Sequence, residues 1–312
     1  MQEKSRTLLL HFKKTITEVN HMPAAKLSLE QKDARLGVKL VLPSVVIIGM
    51  LIIYPIFYNI YLSFFNVKIT GETTYIGTAN YIKVLTDPTF WASVLTTFVY
   101  VIATTVLTTA MGLIVAMVMN KKFKGRPVVR SIILLPYIAP VISTVYAWQF
   151  FFDPVNGIFM HIVVDVLHLS DTRFNLIGDP KYAIWVAVIF SVWKAFPFTY
   201  LMILSRLQTI DQNLYEAAEI DGAGAWRKFW SITIPELYFV IGSLVLLRFI
   251  WNFNKFEEVY LLTDNVKVLS VYTYFKAFTG SMQLGQGSAL VVVQFALLII
   301  LILLYVKKVL KW

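Results

Sequence analysis

The chain has 312 residues, 58% of them hydrophobic and only 15% charged, with a mean hydropathy of +0.68, an apolar share that a water-soluble globular domain cannot hide. It contains no cysteine, which removes disulfide scaffolds and thiol nucleophiles. A formal charge of +10 would point a soluble protein toward nucleic acid, but in so apolar a chain it is first a matter of membrane topology.

Residues 1–37 form an N-terminal segment rich in base: Lys4, Arg6, Lys13, Lys14, Lys26, Lys32 and Arg35. The apolar run Thr7–Phe12 is short and no small-residue cleavage site follows it, so the segment is expected to be retained. Leu8, Leu9, Phe12, Ile16 and Val19 recur at helical spacing, which fits a helix lying along the inner leaflet; a loosely ordered basic tail is the alternative. Six runs then approach the roughly 20 apolar residues that cross a bilayer. They lie near Val38–Phe65, Trp91–Met119, Val128–Phe152, Ala183–Leu207, Glu236–Leu262 and Ser288–Val306. No run alternates with the period of a transmembrane barrel strand, so the expected fold class is all-α, a polytopic membrane helical bundle of about six transmembrane helices over 38–306.

Lysine and arginine orient this bundle. The loop after the second run carries Lys121, Lys122, Lys124, Arg126 and Arg130 with no acid, and the basic tail 307–312 carries Lys307, Lys308 and Lys311. The loops at 66–90, 153–182 and 263–287 hold only a pair of basic residues each. Both termini and residues 208–235 are therefore expected inside, and topology absorbs the basic excess without nucleic acid. On the outer side Asp153-Pro154-Val155-Asn156-Gly157 is a turn cluster, and Ile158–Leu169 reads as a short amphipathic helix. Its His161 and His168 lack an evident carboxylate partner and read as interfacial polar residues, not metal ligands.

Residues 208–235 form a polar island between the fourth and fifth runs. Asn213 is placed to cap a helix whose first turn holds Glu216, near the positive end of the helix dipole. Ala217 and Ala218 leave a small, flat face that another protein can approach. Asp221-Gly222 is a natural stop, because glycine takes left-handed backbone that other residues resist. Trp226, Phe229 and Trp230 are apolar among Arg227 and Lys228, and Pro235 sits where its missing donor costs little. On these residues alone, an ordinary helical connector stands beside a docking loop.

The pattern Glu216-Ala217-Ala218, Asp221-Gly222-Ala223 and Ile234-Pro235 resembles the cytoplasmic signature loop of ABC importer permeases. Leu135-Pro136 through Trp148, Asn156-Gly157, Trp251-Asn252 through Leu262-Thr263 and Gly287-Ser288-Ala289 resemble the carbohydrate subfamily, in particular the larger permease of maltose, glycerol-phosphate or alginate-type oligosaccharide importers. Asp264-Asn265-Val266 stands where many members have a Gly-Gly-Pro turn. The resemblance implies a type I importer permease (MetI-like) architecture in a bacterial inner membrane. It also implies a second permease subunit in a heterodimer, an extracytoplasmic substrate-binding protein, and two ATPase subunits that hold ATP and magnesium and seat the loop. The chain is then a transport subunit for a sugar or oligosaccharide and no enzyme; it has no Gly-rich phosphate loop of its own.

Lys194, Arg248 and Lys255 lie within or near the ends of the runs, where an unpaired charge costs several kcal/mol, roughly 2.5–3.5 on insertion scales, and are expected to face the interior. They line a substrate path, with Trp148, Trp251 and Phe256 as stacking platforms and Asn252 beside them, or they pair with Glu257, Glu258, a partner's acid or helix carbonyls. A permease for a non-sugar solute and a secondary transporter remain as alternatives; a membrane enzyme would need a convergent ligand set that the four histidines do not supply.

Overall fold

A computed structural model of the protein describes residues 29–67, 73–280 and 282–310. The expected surface helix before residue 29 lies outside the described residues. The chain divides into two compact units, 1–61 and 62–312. In the first unit α1 (Leu29–Ile48) passes through a π turn, Gly49–Ile53, into α2 (Tyr54–Leu62). Leu36–Leu62 is one continuous apolar span.

The second unit opens with a small antiparallel hairpin in which Phe65 pairs with Tyr75. After α3 (Ala79–Thr86) comes α4 (Pro88–Asn120), 33 residues long. Both α4 and α7 (Pro180–Leu207) start in the same way: an aspartate, Asp87 or Asp179, caps the amide of the residue two positions on, and a proline occupies the first turn, where it loses no bond. The buried face of α4 is a seam of small and hydroxylated residues, Ser93, Thr97, Thr104, Thr105, Thr108, Gly112 and Ala116. Such residues let helix backbones approach without exposing polar groups, since Thr97 and Thr109 return their hydroxyls to the carbonyls four residues back at 2.6 and 2.7 Å. The seam packs on α7 in the most extensive helix contact of the unit.

The third run is not one helix. α5 (Arg126–Ile138) and α6 (Val141–Phe151) meet at a 95° bend. Pro140 has no amide hydrogen and pushes Ala139 out of helical geometry, to ψ 139°, so the run breaks where hydropathy is unbroken. The stretch Ile158–Val166 is a short helical turn followed by a π turn, and its His161 has a carboxylate partner after all, Asp165 at 2.8 Å. Among the described residues no group of three or more acids and histidines is placed to hold a metal.

α8 (Gln212–Ile220) and α9 (Ala225–Lys228) form a hairpin, and a π turn leads α9 into α10 (Ile234–Phe253). The fifth span is thus Ala225–Phe253, starting earlier and stopping sooner than its hydropathy suggested. Past Asn254 the chain turns into a separate α11 (Glu257–Leu262), then α12 (Leu269–Phe278) and the last span, α13 (Leu284–Tyr305). In all, five helices of the described residues are long and apolar enough to cross a membrane, and the bent pair α5 and α6, counted as one span, makes six. The core lies in two clusters, one around Phe90, Tyr100 and Phe190, the other around Ala116, Tyr200 and Leu237.

Gly112 is where α4 and α7 come closest: a Cβ there would lie 2.7 Å from Thr199 Cγ2 and 3.1 Å from the Tyr200 amide nitrogen. Thr199 can yield only slightly and the backbone not at all. Gly112→Val is therefore expected to destabilise the protein by about 1–3 kcal/mol, read as a lower unfolding temperature in detergent, with Gly112→Ala intermediate.

Candidate functional site

The hairpin of α8 and α9 is closed at its base. Arg206, in the last turn of α7, donates to the Glu236 carboxylate at 2.6 Å and to its carbonyl at 3.1 Å, joining the end of one span to the start of the next. Tyr215 on α8 meets Thr233 at 2.9 Å, and Lys228 pairs with Glu219 across the hairpin. The cap of α8 is Asp211, whose carboxylate accepts the Asn213 amide at 2.9 Å, so Asn213 is the second helical residue and not the cap. Gly222 ends the helix with φ +75°, the left-handed value expected of it. Glu216, Ala217, Asp221 and Gly222 are exposed, with Ala218 and Ala223 half-buried; Ile234 and Pro235 lie in the first turn of α10. Around them large apolar side chains face outward: Ile220 is 88% exposed and Trp226 74%. The hairpin is a stiff, apolar-tipped projection, the kind of surface that another protein covers.

The break between α10 and α11 opens a cavity of about 450 Å³ lined by Ile250, Trp251, Asn254, Lys255, Phe256, Glu257 and Glu258. Of the sequence's candidates for a substrate path, Trp251, Lys255 and Phe256 meet here. Lys255 is paired with Glu258 at 3.2 Å, one of the alternatives the sequence left open, and the lining holds two carboxylates against one ammonium. The other four candidates are engaged elsewhere. Arg248 donates to the Ala195 carbonyl at 2.6 Å and to Thr199 at 3.1 Å and stacks on Phe198 and Trp251. Asn252 is buried and bonded to Thr105 at 3.2 Å, tying α10 to α4. Trp148 packs among Phe152, Phe190 and Trp193. Lys194 is buried against the carbonyls of Pro136 and Ala139.

Two residues of this region were not singled out from sequence. Asn254 lines the cavity and returns its amide to the Ile250 carbonyl at 3.0 Å, ending α10. Gln149 donates to the Leu261 carbonyl at 2.8 Å and so hangs α6 on α11. An asparagine just after a long apolar helix was the available signal for the first; nothing local marks the second.

A second cavity, of about 480 Å³, lies between the start of α4 and α12, with Thr89, Ser93, Thr96, Asn265, Lys267 and Lys276 on its wall. At its edge the Asp87 carboxylate accepts from the Thr89 hydroxyl at 2.5 Å, Tyr272 at 2.7 Å and Lys276 at 3.1 Å. The Thr89 hydroxyl first, and then Tyr272 and Lys276, hold the Asp87 carboxyl well below the usual carboxylate range despite partial burial.

The chain belongs to the family described as the binding-protein-dependent transport system inner membrane component, whose model matches residues 108–311. It is similar to the inner membrane ABC transporter permease protein YcjO of Escherichia coli, 38% identical over 281 residues that span 89% of this chain and 96% of that one. It is also 32% identical to the trehalose/maltose transport system permease protein MalF of Thermococcus litoralis, over 89% of this chain and 95% of that one. In fold it matches a chain of a bacterial ABC transporter involved in the import of the acidic polysaccharide alginate, with TM-score 0.76 and 18% identity over 90% of this chain and 97% of that one. The protein is a multi-pass membrane permease subunit, not an enzyme.

The Asp87 cluster has a pH signature. A carboxylate whose folded pKa is depressed stabilises the protein above its unfolded value, about 3.9, and loses that contribution as pH falls toward the folded one. Asp87→Ala is expected to cost about 1–3 kcal/mol at neutral pH. The gap in unfolding temperature between parent and variant is expected to narrow steadily as pH is lowered below about 4.

Proposed function

We propose that this chain forms half of the translocation pathway of an ATP-driven, binding-protein-dependent importer of a sugar or oligosaccharide. Its α8–α9 hairpin, carrying Glu216, Ala217, Ala218, Asp221, Gly222, Ala223, Ile234 and Pro235, is the contact for an ATPase subunit. The observation that carries this reading is the hairpin itself: exposed apolar side chains on a short helix that Tyr215 bonds to Thr233 at the entrance of α10, while Arg206 and Glu236 tie α10 to α7. A push on α8 is thereby delivered to α7 and α10 together, which is what driving alternating access requires. ATP and magnesium belong on two ATPase partners; a second permease subunit completes the pathway, and an extracytoplasmic binding protein delivers the solute. The carbohydrate class rests on the trehalose/maltose relative and on a cavity that joins aromatic faces to polar groups, the pairing that suits a sugar ring.

The orientation that goes with this function has both termini and residues 208–235 on the cytoplasmic side of a bacterial inner membrane, from the asymmetry of lysine and arginine between loops. Because the chain has no cysteine, a single cysteine at Lys228 reports directly. A membrane-impermeant thiol reagent is expected to label it only once the inner face is opened; labelling in intact cells would refute the orientation.

Coupling is tested at Gly222. Valine cannot take φ +75° without strain of roughly 1–2 kcal/mol, so the hairpin must turn differently. Gly222→Val is expected to leave the chain inserted and assembled while ATP hydrolysis stimulated by the loaded binding protein, and uptake with it, falls at least tenfold. Parental rates in this variant would reduce the hairpin to a connector. Uptake that survives ATP depletion with ion gradients clamped would instead favour a secondary transporter.

A further inference from the structure

The two carbonyls that Lys194 meets lie at the break in the third crossing. In a continuous helix the amide of residue 140 would donate to the carbonyl of residue 136. Residue 140 is proline, which has no donor, and Ala139 is forced to extended geometry, so the Pro136 and Ala139 carbonyls are left without their helical partners. Inside a bilayer no water stands ready to take them. Lys194 Nζ, on α7, is 3.4 Å from the Pro136 oxygen and 2.8 Å from the Ala139 oxygen. Its side chain is 8% exposed, and it takes part in none of the ion pairs found among the described residues. An ammonium at a helix C-terminus also faces the negative end of that helix's dipole.

We propose that Lys194 is a positioning residue: its ammonium takes up the carbonyls that the break at Ala139-Pro140 leaves without helical donors, Ala139 most closely, and so clasps the α5–α6 break to α7 and fixes the angle of the crossing. The angle matters because α6 carries Gln149, which bonds the carbonyls of Leu261 and Leu262 on α11, next to the cavity at the end of α10. Lys194 thus sets the cavity wall through α6 without facing the solute. An arginine can reach the same carbonyls, whereas a methionine fills the space and leaves them unpaired. The inference rests on the transport reading for its activity readout alone; its geometric readout stands apart from it.

The experiment places two cysteines in the otherwise cysteine-free chain, at the exposed Val128 on α5 and Phe150 on α6, and measures the spin-label distance in the assembled complex in nanodiscs. A straight helix would separate the two positions by roughly 33 Å, and the bend shortens this. Expected are a short, narrow distribution for the parent and Lys194→Arg, and a broadened one for Lys194→Met with uptake reduced at least tenfold. Pro140→Ala restores the missing donor, so its distance is expected to lengthen and to become insensitive to Lys194→Met. If Lys194→Met fails to assemble, Lys194→Met with Pro140→Ala is expected to recover assembly, and loss of both overturns the clasp. A parental distance distribution in Lys194→Met also overturns it, whatever uptake does. Distances as expected in a complex that shows no ATP-driven uptake would sustain the clasp and strike the transport reading alone.

Discussion

Within a bilayer every backbone carbonyl and amide has to find its partner inside the protein, and this requirement governs where the chain can afford to be irregular. Its helices break at Pro140 and after Phe253, and α7 contains Pro197. Polar side chains gather at these places. Lys194 serves the first break from the neighbouring helix, Arg248 reaches the Ala195 carbonyl beside Pro197, and Gln149 takes the carbonyls that close α11. Buried charge and amide in this protein therefore mark departures from regular helix more than they mark a route for solute.

The same economy appears at the hairpin between α7 and α10. α8 lies outside the apolar spans, where water satisfies its free backbone groups, and side-chain contacts hold it in place. Arg206 and Glu236 close the base, Tyr215 and Thr233 pin the helix to the wall, and the left-handed Gly222 reverses the chain in a minimum of length. Arg206 closes the base with charged hydrogen bonds to both the carboxylate and the carbonyl of Glu236, so the end of α7 is held to the start of α10.

The number of spans, the asymmetry of basic loops and the stop at Asp221-Gly222 were all legible in the sequence, since each depends on composition or on the steric rule of a single residue. The break at Ala139-Pro140 was not, because hydropathy sums side chains and carries no record of a missing amide hydrogen. The cap of α8 was misplaced by two residues for a similar reason: Asp211 and Asn213 both qualify chemically, and only the backbone path decides between them. For the candidate site, depth in the membrane showed that Lys194 and Arg248 needed partners. Which partners they took depended on α5 and α10 each lying beside α7, a tertiary fact. Glu257 and Glu258 were visible as charges near a helix end, yet their shared wall with Trp251 and Lys255 arises from a turn at Asn254 that their spacing does not encode.

The crossing at Gly112 limits how the molecule can rearrange. With the Thr199 side chain and Tyr200 backbone already at contact distance, α4 and α7 cannot slide past or tilt against each other without steric collision. They count as one body, and the degrees of freedom left to the second unit lie where helices are interrupted: the joint between α5 and α6 and the turn after α10. A conformational cycle in this protein is then a matter of two joints moving against a fixed pillar, and substitutions that loosen the pillar are expected to blur the cycle's end states before they slow its steps.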